Sequence, residues 1–181
     1  MSQQLRVIVI PDSVEIALKT ARYATKRKKI VSIIHGYHGH SGLSVATGDA
    51  RFSKIFLADK PDEFVQVPFN DADALEDELK GGDVAAFIIE TIPATYGFPM
   101  LEDGYLKACQ DLCHKYGAKF IADEVQTGLI RTGVMWGWQG YDGLKPDIFV
   151  CGKGLPSVQA FVSAHRPKYL CPLWPHQGKM T

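Results

Sequence analysis

Four short apolar runs alternate with segments of helical periodicity along the chain, a pattern typical of an α/β fold. The runs are 30–34, 84–89, 119–122 and 148–151. None of them alternates clearly between apolar and polar positions, which indicates strands buried on both faces, as in a parallel sheet under helices. We therefore predict an α/β fold with a mostly parallel sheet and helices on both faces.

Three helices are predicted, over about 13–28, 71–80 and 105–116. Asp12 and Glu15 have the spacing of a capping box before the first helix. Asn70 is the predicted N-cap of the second. Gly117 is expected to end the third, because glycine readily adopts the left-handed conformation that follows many helices.

Side chains with chemical potential follow each apolar run. They are Tyr37 and His38 after the first run, Glu90 after the second, Asp123 and Gln126 after the third, and Lys153 after the fourth. The carboxyl ends of parallel strands meet at one edge of a sheet, where ligands of α/β folds bind. We therefore expect these six residues to form one site.

The residues alone leave two interpretations open for Lys153 and for Asp123. Lys153 lies between Gly152 and Gly154, which allow close approach of a ligand, but it could also be a solvated loop lysine. A partly desolvated lysine can attack a carbonyl group and form a Schiff base. Asp123 could hold a proton on the pyridine nitrogen of pyridoxal phosphate, or it could cap the turn that follows it.

Tyr37 and His38 are equally open at this point. Tyr37 could stack on a planar ring or be an ordinary core aromatic. His38 could serve the site or be a hydrogen-bonded structural histidine. Cys109, Cys113 and His114 could suggest a metal site, but no second pair of ligands accompanies them, so buried reduced thiols are the preferred interpretation.

Charge and hydropathy narrow the class of protein. Lys and Arg number 20, as do Asp and Glu, so no global field favours nucleic acid or an anionic membrane. No run approaches the roughly 20 apolar residues of a membrane span, and no signal peptide is recognised, so a cytoplasmic location is expected. A dinucleotide site is not supported, since no Gly-x-Gly-x-x-Gly follows a predicted strand.

The chain also carries a series of short motifs in fixed order. They are Gly36-Tyr37-His38-Gly39, Glu90, Asp123-Glu124-Val125-Gln126-Thr127-Gly128, Arg131-Thr132-Gly133, Pro146-Asp147-Ile148 and Gly152-Lys153-Gly154-Leu155. This series resembles the signature of class III pyridoxal-phosphate aminotransferases, the relatives of ornithine and 4-aminobutyrate aminotransferases. The resemblance runs from about Val14 to Leu155.

The resemblance implies a role for each candidate residue. Lys153 would form the Schiff base with pyridoxal phosphate and move the proton during catalysis. Asp123 would pair with the pyridine nitrogen, Gln126 would lie near the phenolic oxygen, and Tyr37 would stack on the ring. His38 and Glu90 match further positions of the family's cofactor site.

The resemblance also implies an architecture and a reaction. Members have the large domain of fold type I pyridoxal-phosphate transferases, with a seven-stranded and mostly parallel sheet. They are homodimers that move an amino group from an amino donor to a 2-oxo acid or aldehyde. Residues 1–155 would form part of this large domain, a truncated one, and residues 156–181 an atypical tail.

Departures from the family pattern limit this expectation. The chain is shorter than the family's full span, and Pro156-Ser157-Val158-Gln159 replaces the Ser-Gly-Gly and apolar run that follow the lysine in the family. Ile8-Val9-Ile10 stands where the family has Asn-Ser-Gly, and Pro11 lacks the N–H that could bind a phosphate, so phosphate binding should be weakened. Thr95 replaces a glutamate of the ornithine and 4-aminobutyrate enzymes, so those substrates are not supported. The alternatives are a non-catalytic fragment or pseudoenzyme that retains the fold core, and an aminomutase or decarboxylase of the same fold.

Overall fold

The computed structural model describes residues 4–7, 10–55, 62–153 and 160–164. Its helices are α1 (Ile10–Thr25), α2 (Gly42–Thr47), α3 (Ala50–Ile55), α4 (Ala72–Lys80) and α5 (Tyr105–Lys115), with a 3₁₀ helix at Gly137–Gly140. Its strands are β1 (Gln4–Val7), β2 (Lys29–Ile33), β3 (Phe64–Val67), β4 (Val84–Glu90), β5 (Lys119–Asp123), β6 (Ile148–Cys151) and β7 (Ala160–Ala164).

The strands form one seven-stranded sheet in the order β1-β7-β6-β5-β4-β2-β3. Strands β3, β2, β4, β5 and β6 are parallel neighbours, whereas β7 pairs antiparallel with both β6 and β1. The predicted α/β class and mostly parallel sheet are therefore confirmed. The carboxyl ends of β2, β4, β5 and β6 meet at one edge of this sheet.

The core has two layers, one on each face of the sheet. Phe87 and Phe120 lie on one face with their rings 6.1 Å apart, in a cluster that includes the buried side of α5. Ile88 and Ile121 lie on the other face and pack in a cluster with α1. Every residue of β4 is buried, which explains its continuous apolar run. Full burial of one such side chain stabilises the folded protein by about 2–3 kcal/mol. The central strands therefore form a stable base for the residues at their carboxyl ends.

The start of α1 differs from the prediction. The helix begins at Ile10, so Asp12 lies inside it and is not its N-cap. Glu15 does not complete a capping box either, because its Oε1 accepts the backbone N–H of Ser44 at 2.9 Å. The Glu15 carboxylate thus connects α1 to α2. The helix ends at Thr25, three residues short of the expected end.

The cap of α4 also differs from the prediction by one residue. Asp71 is the N-cap, and its Oδ1 accepts the N–H of Ala74 at 2.8 Å. Asn70 instead has a positive φ of 59°, and its Oδ1 accepts the N–H of Glu102 at 3.1 Å. The predicted end of α5 is confirmed, since Gly117 follows it with φ 72°.

Strand β7 falls within the predicted atypical tail of residues 156–181. It occupies an interior position of the sheet between β6 and β1. Residues 156–159 and 165–181 of this tail, of which 165–181 is not expected to form a regular element, lie outside the described residues. None of the helices in the described part of the chain combines the length and apolar content needed to cross a membrane.

Candidate active site

A cavity of about 150 Å³ opens at the carboxyl edge of the sheet. All six site residues predicted from the sequence line it: Tyr37, His38, Glu90, Asp123, Gln126 and Lys153. Val14 of α1, Gly39, His40 and Val125 complete the lining. The cavity is therefore formed by residues that follow four neighbouring strands and by the first turns of α1.

His38 and Asp123 form a buried pair at the base of the cavity. The Nδ1 of His38 lies 2.8 Å from Oδ2 of Asp123, and the two side chains are 0% and 4% exposed. A neutral imidazole that donates from Nδ1 leaves Nε2 as an acceptor, and this buried Nε2 has no hydrogen-bond partner among the described residues. The imidazole thereby fixes the orientation of the Asp123 carboxylate.

Asp123 caps the turn that follows it and also lines the cavity. Its Oδ1 accepts the backbone N–H of Val125 at 3.1 Å, which closes the turn after β5. Its carboxylate also lines the cavity. The alternatives of a turn cap and a site carboxylate are therefore compatible in one side chain.

Glu90 is the register partner of Asp123 on the adjacent strand. It is buried, and its Oε2 accepts the backbone N–H of Tyr37 at 3.0 Å. Burial raises the pKa of Glu90 to about 7; the charge of Asp123 adds to the rise, while His38 and the Tyr37 N–H oppose it. Glu90 thus anchors the turn that carries Tyr37.

Replacing Glu90 by glutamine should change stability in a pH-dependent way. Below pH 4.5 the carboxyl is protonated in both folded and unfolded chains, whereas near pH 7 and above the folded chain must keep a buried charge. Glu90→Gln keeps an acceptor for the Tyr37 N–H but has no charge. Its free energy of unfolding relative to wild type should therefore rise between pH 4.5 and 7, by up to about 3 kcal/mol.

Urea unfolding of both proteins at pH 5, 6, 7 and 8 measures this difference. Asp83→Asn is a matched control, because Asp83 is an exposed carboxylate that pairs with Lys29 away from the cavity. A difference between Glu90→Gln and wild type that stayed constant over this range would contradict the elevated pKa of Glu90.

The ring of Tyr37 lies in a small aromatic cluster at the cavity wall. It meets His40 at 5.1 Å and Phe52 at 5.2 Å, both edge to face. Burial raises the pKa of the Tyr37 hydroxyl, and the charges of Asp123 and Glu90 raise it further. The ring is therefore held in place as a neutral aromatic surface.

The turn that carries Tyr37 and His38 depends on Asp49, which the sequence interpretation missed. The N–H of Asp49 donates to the carbonyl of Gly36 at 2.8 Å, and its carboxylate lies 2.7 Å from Nδ1 of His35. Burial alone would raise the pKa of Asp49, but hydrogen bonds from Arg51 and His35 outweigh it and lower the pKa to about 2.

Gln126 and Lys153 complete the wall. Gln126 is half-buried in the turn after β5, and Lys153 lies two residues beyond the end of β6 with an exposed side chain. The lysine is therefore open to solvent while it lines the cavity. Glu124, which follows the third predicted strand but received no role from the sequence, is fully buried beside Asp123 and bonds a different set of partners.

This set of groups fits the ring of pyridoxal phosphate. A lysine amine, a carboxylate oriented by an imidazole, an amide and a tyrosine ring all line one cavity. These are the groups that a pyridine ring with a carbonyl and a phenolic oxygen requires. Val14 brings the amino-terminal part of α1 to the same cavity, while Ile8 and Val9, at the predicted phosphate loop, lie outside the described residues.

The fold is that of the large domain of fold type I pyridoxal-phosphate-dependent transferases. Solved structures share this fold. The ornithine aminotransferase of Toxoplasma gondii ME49 matches with a TM-score of 0.83 and 28% identity over 90% of this chain and 41% of its own. The taurine:2-oxoglutarate aminotransferase of Bifidobacterium kashiwanohense, solved in complex with PLP and glutamate, matches with a TM-score of 0.79 and 31% identity over 90% and 42%.

The sequence profile described as Aminotransferase class-III matches residues 11–167, and the chain belongs to this family. An uncharacterized aminotransferase of Archaeoglobus fulgidus is 44% identical over 144 residues, which cover 80% of this chain and 33% of that protein. The acetylornithine aminotransferase of Listeria monocytogenes is 41% identical over 145 residues, 80% and 37% of the two chains.

A glutamate-1-semialdehyde 2,1-aminomutase of Natronomonas pharaonis is also similar, with 39% identity over 143 residues that cover 76% of this chain and 32% of that protein. The chain therefore spans about a third of the length of the curated relatives it matches. The recognition of the family from its motifs is confirmed.

Proposed function

We propose that this chain binds pyridoxal phosphate and forms the cofactor-binding part of an aminotransferase. The reaction moves an amino group from an amino donor to a 2-oxo acid or aldehyde. The observation that carries the proposal is the convergence of Lys153, Tyr37 and the His38–Asp123 pair on one cavity. Membership of the class III family and the PLP-containing relative of known structure support it.

The bound cofactor supplies an electron sink that stabilises negative charge at the substrate carbon next to the amino group. In this proposal Lys153 would hold the cofactor covalently and would then act as the base and the acid of a 1,3-proton shift, which takes the proton from that carbon and delivers it to a second carbon. Asp123, whose carboxylate is oriented by His38, would keep a proton on the pyridine nitrogen. Tyr37 would cover the ring and exclude water from it.

The remaining two site residues have supporting roles. Gln126 would donate a hydrogen bond from its side-chain amide to the phenolic oxygen of the cofactor. Glu90 would hold the backbone of Tyr37 through the N–H that its Oε2 accepts. Neither role needs a charge change during the reaction, which suits an amide and a buried carboxyl group.

Two other functions have a specific observation in their favour. The similarity to a glutamate-1-semialdehyde 2,1-aminomutase supports an aminomutase, and a decarboxylase would use the same cofactor site. A non-catalytic fragment or pseudoenzyme is supported by Ile8-Val9-Ile10, which replaces the Asn-Ser-Gly expected at the phosphate. These alternatives differ from the main proposal in what happens to the bound cofactor.

The half-reaction with an amino donor tests the proposal. The chain is saturated with pyridoxal phosphate and mixed with a panel of amino acids and primary amines. An aminotransferase should lose visible absorbance and accumulate pyridoxamine phosphate, detected by mass spectrometry, together with the oxo product of one donor. Isomerisation of glutamate 1-semialdehyde would support the aminomutase instead, and an unchanged cofactor with every donor would support the non-catalytic alternative.

We further propose that the protein is a homodimer of the cytoplasm, as expected for the family. Exposed apolar side chains on the loop after β4 support a dimer, because a second subunit would cover them. Tyr96, Phe98 and Met100 are 41%, 66% and 85% exposed. Sedimentation equilibrium of the purified protein would show a dimer mass, and a monomer at micromolar concentration would contradict this part of the proposal.

A further inference from the structure

Glu124, the residue after β5, is a fully buried carboxylate that does not line the cavity. Its Oε2 accepts hydrogen bonds from the hydroxyl of Thr127 and from the N–H of Gly137, both at 2.7 Å. Its Oε1 accepts from the N–H of Trp138 at 2.8 Å and from the hydroxyl of Thr91 at 3.1 Å. Four donors from three segments of the chain therefore converge on one side chain.

Only a carboxylate satisfies this set of partners. An ionised carboxylate presents acceptors alone, so both backbone N–H groups can point at it together with the threonine hydroxyls, which lie 2.8 Å apart and can also share a hydrogen bond with each other. An amide of the same shape would direct its NH₂ group at one of the two backbone N–H groups, that of Gly137 or that of Trp138, and leave this donor unpaired in a buried site. Each buried donor left unpaired costs about 1–3 kcal/mol. The network therefore specifies glutamate at this position by its chemistry.

The network is also sterically tight. A Cβ atom on Gly137 would lie 2.8 Å from the Thr91 hydroxyl, and one on Gly128 would lie 2.9 Å from the carbonyl of Glu124. The ring of Trp136, which borders Gly128, packs against Phe149 of β6 at 4.9 Å. The segment after β5 thus has little freedom to shift relative to β6, the strand that leads to Lys153.

The same network borders the cavity wall. Thr91 directly follows Glu90, and the turn between Glu124 and Thr127 consists of Val125 and Gln126, two residues of the cavity lining. The turn is fixed at its start by the Val125 N–H on Asp123 and at its end by the Gly128 N–H on the Glu124 carbonyl. The Glu124 side chain adds the bond to Thr127 that fixes the turn against the sheet.

We propose that Glu124 is a positioning residue for the cofactor site, which sets the placement of Val125 and Gln126 against the ring. The proposal rests on the proposed function, since it assigns the ring to this cavity. Glu124 does not touch the ring itself. It acts through the turn that carries the two lining residues, and through the 3₁₀ helix that packs behind this turn.

Glu124→Gln tests the proposal with two measurements on the whole chain. Hydrogen exchange of the protein without ligand should become faster in peptides that cover residues 124–140 and stay unchanged in β4. Titration with pyridoxal phosphate, followed by visible absorbance well below the melting temperature, should give a dissociation constant about tenfold weaker than that of wild type. Pyridoxal titration in parallel should show the same loss, because this proposal places Gln126 and Val125, two residues of the cavity lining, against the ring and not against the phosphate.

Asp147→Asn is the matched control. Asp147 also accepts a backbone N–H, that of Phe120 at 3.0 Å, but at the opposite end of β5 from the cavity. This carboxylate-to-amide change should lower the melting temperature and leave both dissociation constants unchanged. If Glu124 had only a structural role, Glu124→Gln would also lower the melting temperature and leave both dissociation constants unchanged.

The outcomes separate this inference from the proposed function. If wild type gives no visible band with either probe, the proposed function fails and the inference fails with it. If wild type binds and Glu124→Gln binds equally well, the inference alone is overturned. Equal weakening in Glu124→Gln and Asp147→Asn would also overturn it, because the loss would then follow general stability. Faster exchange together with selective weakening supports it.

Discussion

Replacing Lys153 by alanine is expected to abolish covalent attachment of pyridoxal phosphate to the chain. Lys153 is the only lysine among the described residues that line the cavity, which also presents Asp123 and Tyr37. Without the amine, the cofactor can be held only by hydrogen bonds and stacking. We expect wild type to retain one cofactor after borohydride reduction and Lys153→Ala to retain none.

Mass spectrometry after reduction measures this result directly. Digestion of the wild-type adduct should place the added mass on Lys153, and the visible absorbance band should shift to shorter wavelength on reduction. Lys145→Ala is a suitable control, since Lys145 is an exposed lysine that does not line the cavity. It should behave as wild type.

The expected effect on turnover is equally large. If the half-reaction proceeds in wild type, Lys153→Ala should lose several orders of magnitude in rate, because removal of both a nucleophile and a proton carrier removes contributions of roughly 10²-fold or more each. Equal labelling of wild type and Lys153→Ala would mean that surface amines react non-specifically. That result would remove the main support for the proposed function.

The sequence predicted the central strands well because their burial on both faces leaves a direct signal. Strands β2, β4, β5 and β6 read as continuous apolar runs. Strand β3 gave no such signal, since it has four residues, two of which are only partly buried. Helices α2 and α3 have six residues each, too short for helical periodicity to be recognised.

Helix ends were less predictable because a residue at the spacing of a local helix cap can instead bind a residue far away in the sequence. The pair Asp12 and Glu15 has the spacing of a capping box, yet Glu15 binds the backbone of Ser44, 29 residues away. At α4 both Asn70 and Asp71 are good caps. Only the tertiary contact of Asn70 with Glu102 decides that Asp71 caps the helix.

The six site residues could be predicted because the topology of a parallel sheet brings its strand ends together. Glu124 and Asp49 could not be predicted in this way, since their partners come from other segments of the chain. A partial signal existed for Glu124. Successive side chains of a strand point to opposite faces, so of two consecutive carboxylates only one can face the cavity. If Asp123 faces the cavity, Glu124 must point elsewhere, and a buried carboxylate there needs hydrogen-bond donors of its own.

The second large effect concerns the phosphate end of the cofactor. Backbone N–H groups at a loop and at a helix N-terminus bind phosphate, and a small flexible residue lets them approach it. The chain has Ile8-Val9-Ile10 followed by Pro11, which has no N–H. We therefore expect the phosphate to add little affinity in wild type, so that pyridoxal phosphate and pyridoxal bind with similar dissociation constants.

Introducing Ile8→Asn, Val9→Ser and Ile10→Gly together should restore a preference for the phosphate. The dissociation constant for pyridoxal phosphate should fall by about tenfold or more, since charge-assisted hydrogen bonds contribute roughly 1.5–3 kcal/mol. That for pyridoxal should stay the same, because the ring site is not changed. Ile8→Ala, Val9→Ala and Ile10→Ala together provide a control that removes the apolar bulk without adding the hydroxyl, amide or glycine.

The ratio of the two dissociation constants decides between the proposed functions of the chain. A ratio near one in wild type that rises in the Asn-Ser-Gly variant, and not in the alanine variant, would mean that the ring site is intact and that the loop limits cofactor binding. The weakened binding of pyridoxal phosphate would then follow from this loop and could be reversed by three substitutions. A strong preference for pyridoxal phosphate in wild type would contradict the weakened phosphate site, because the N-terminus of α1 would then bind the anion without the expected glycine. The aminotransferase proposal would in that case no longer face its main objection from the sequence.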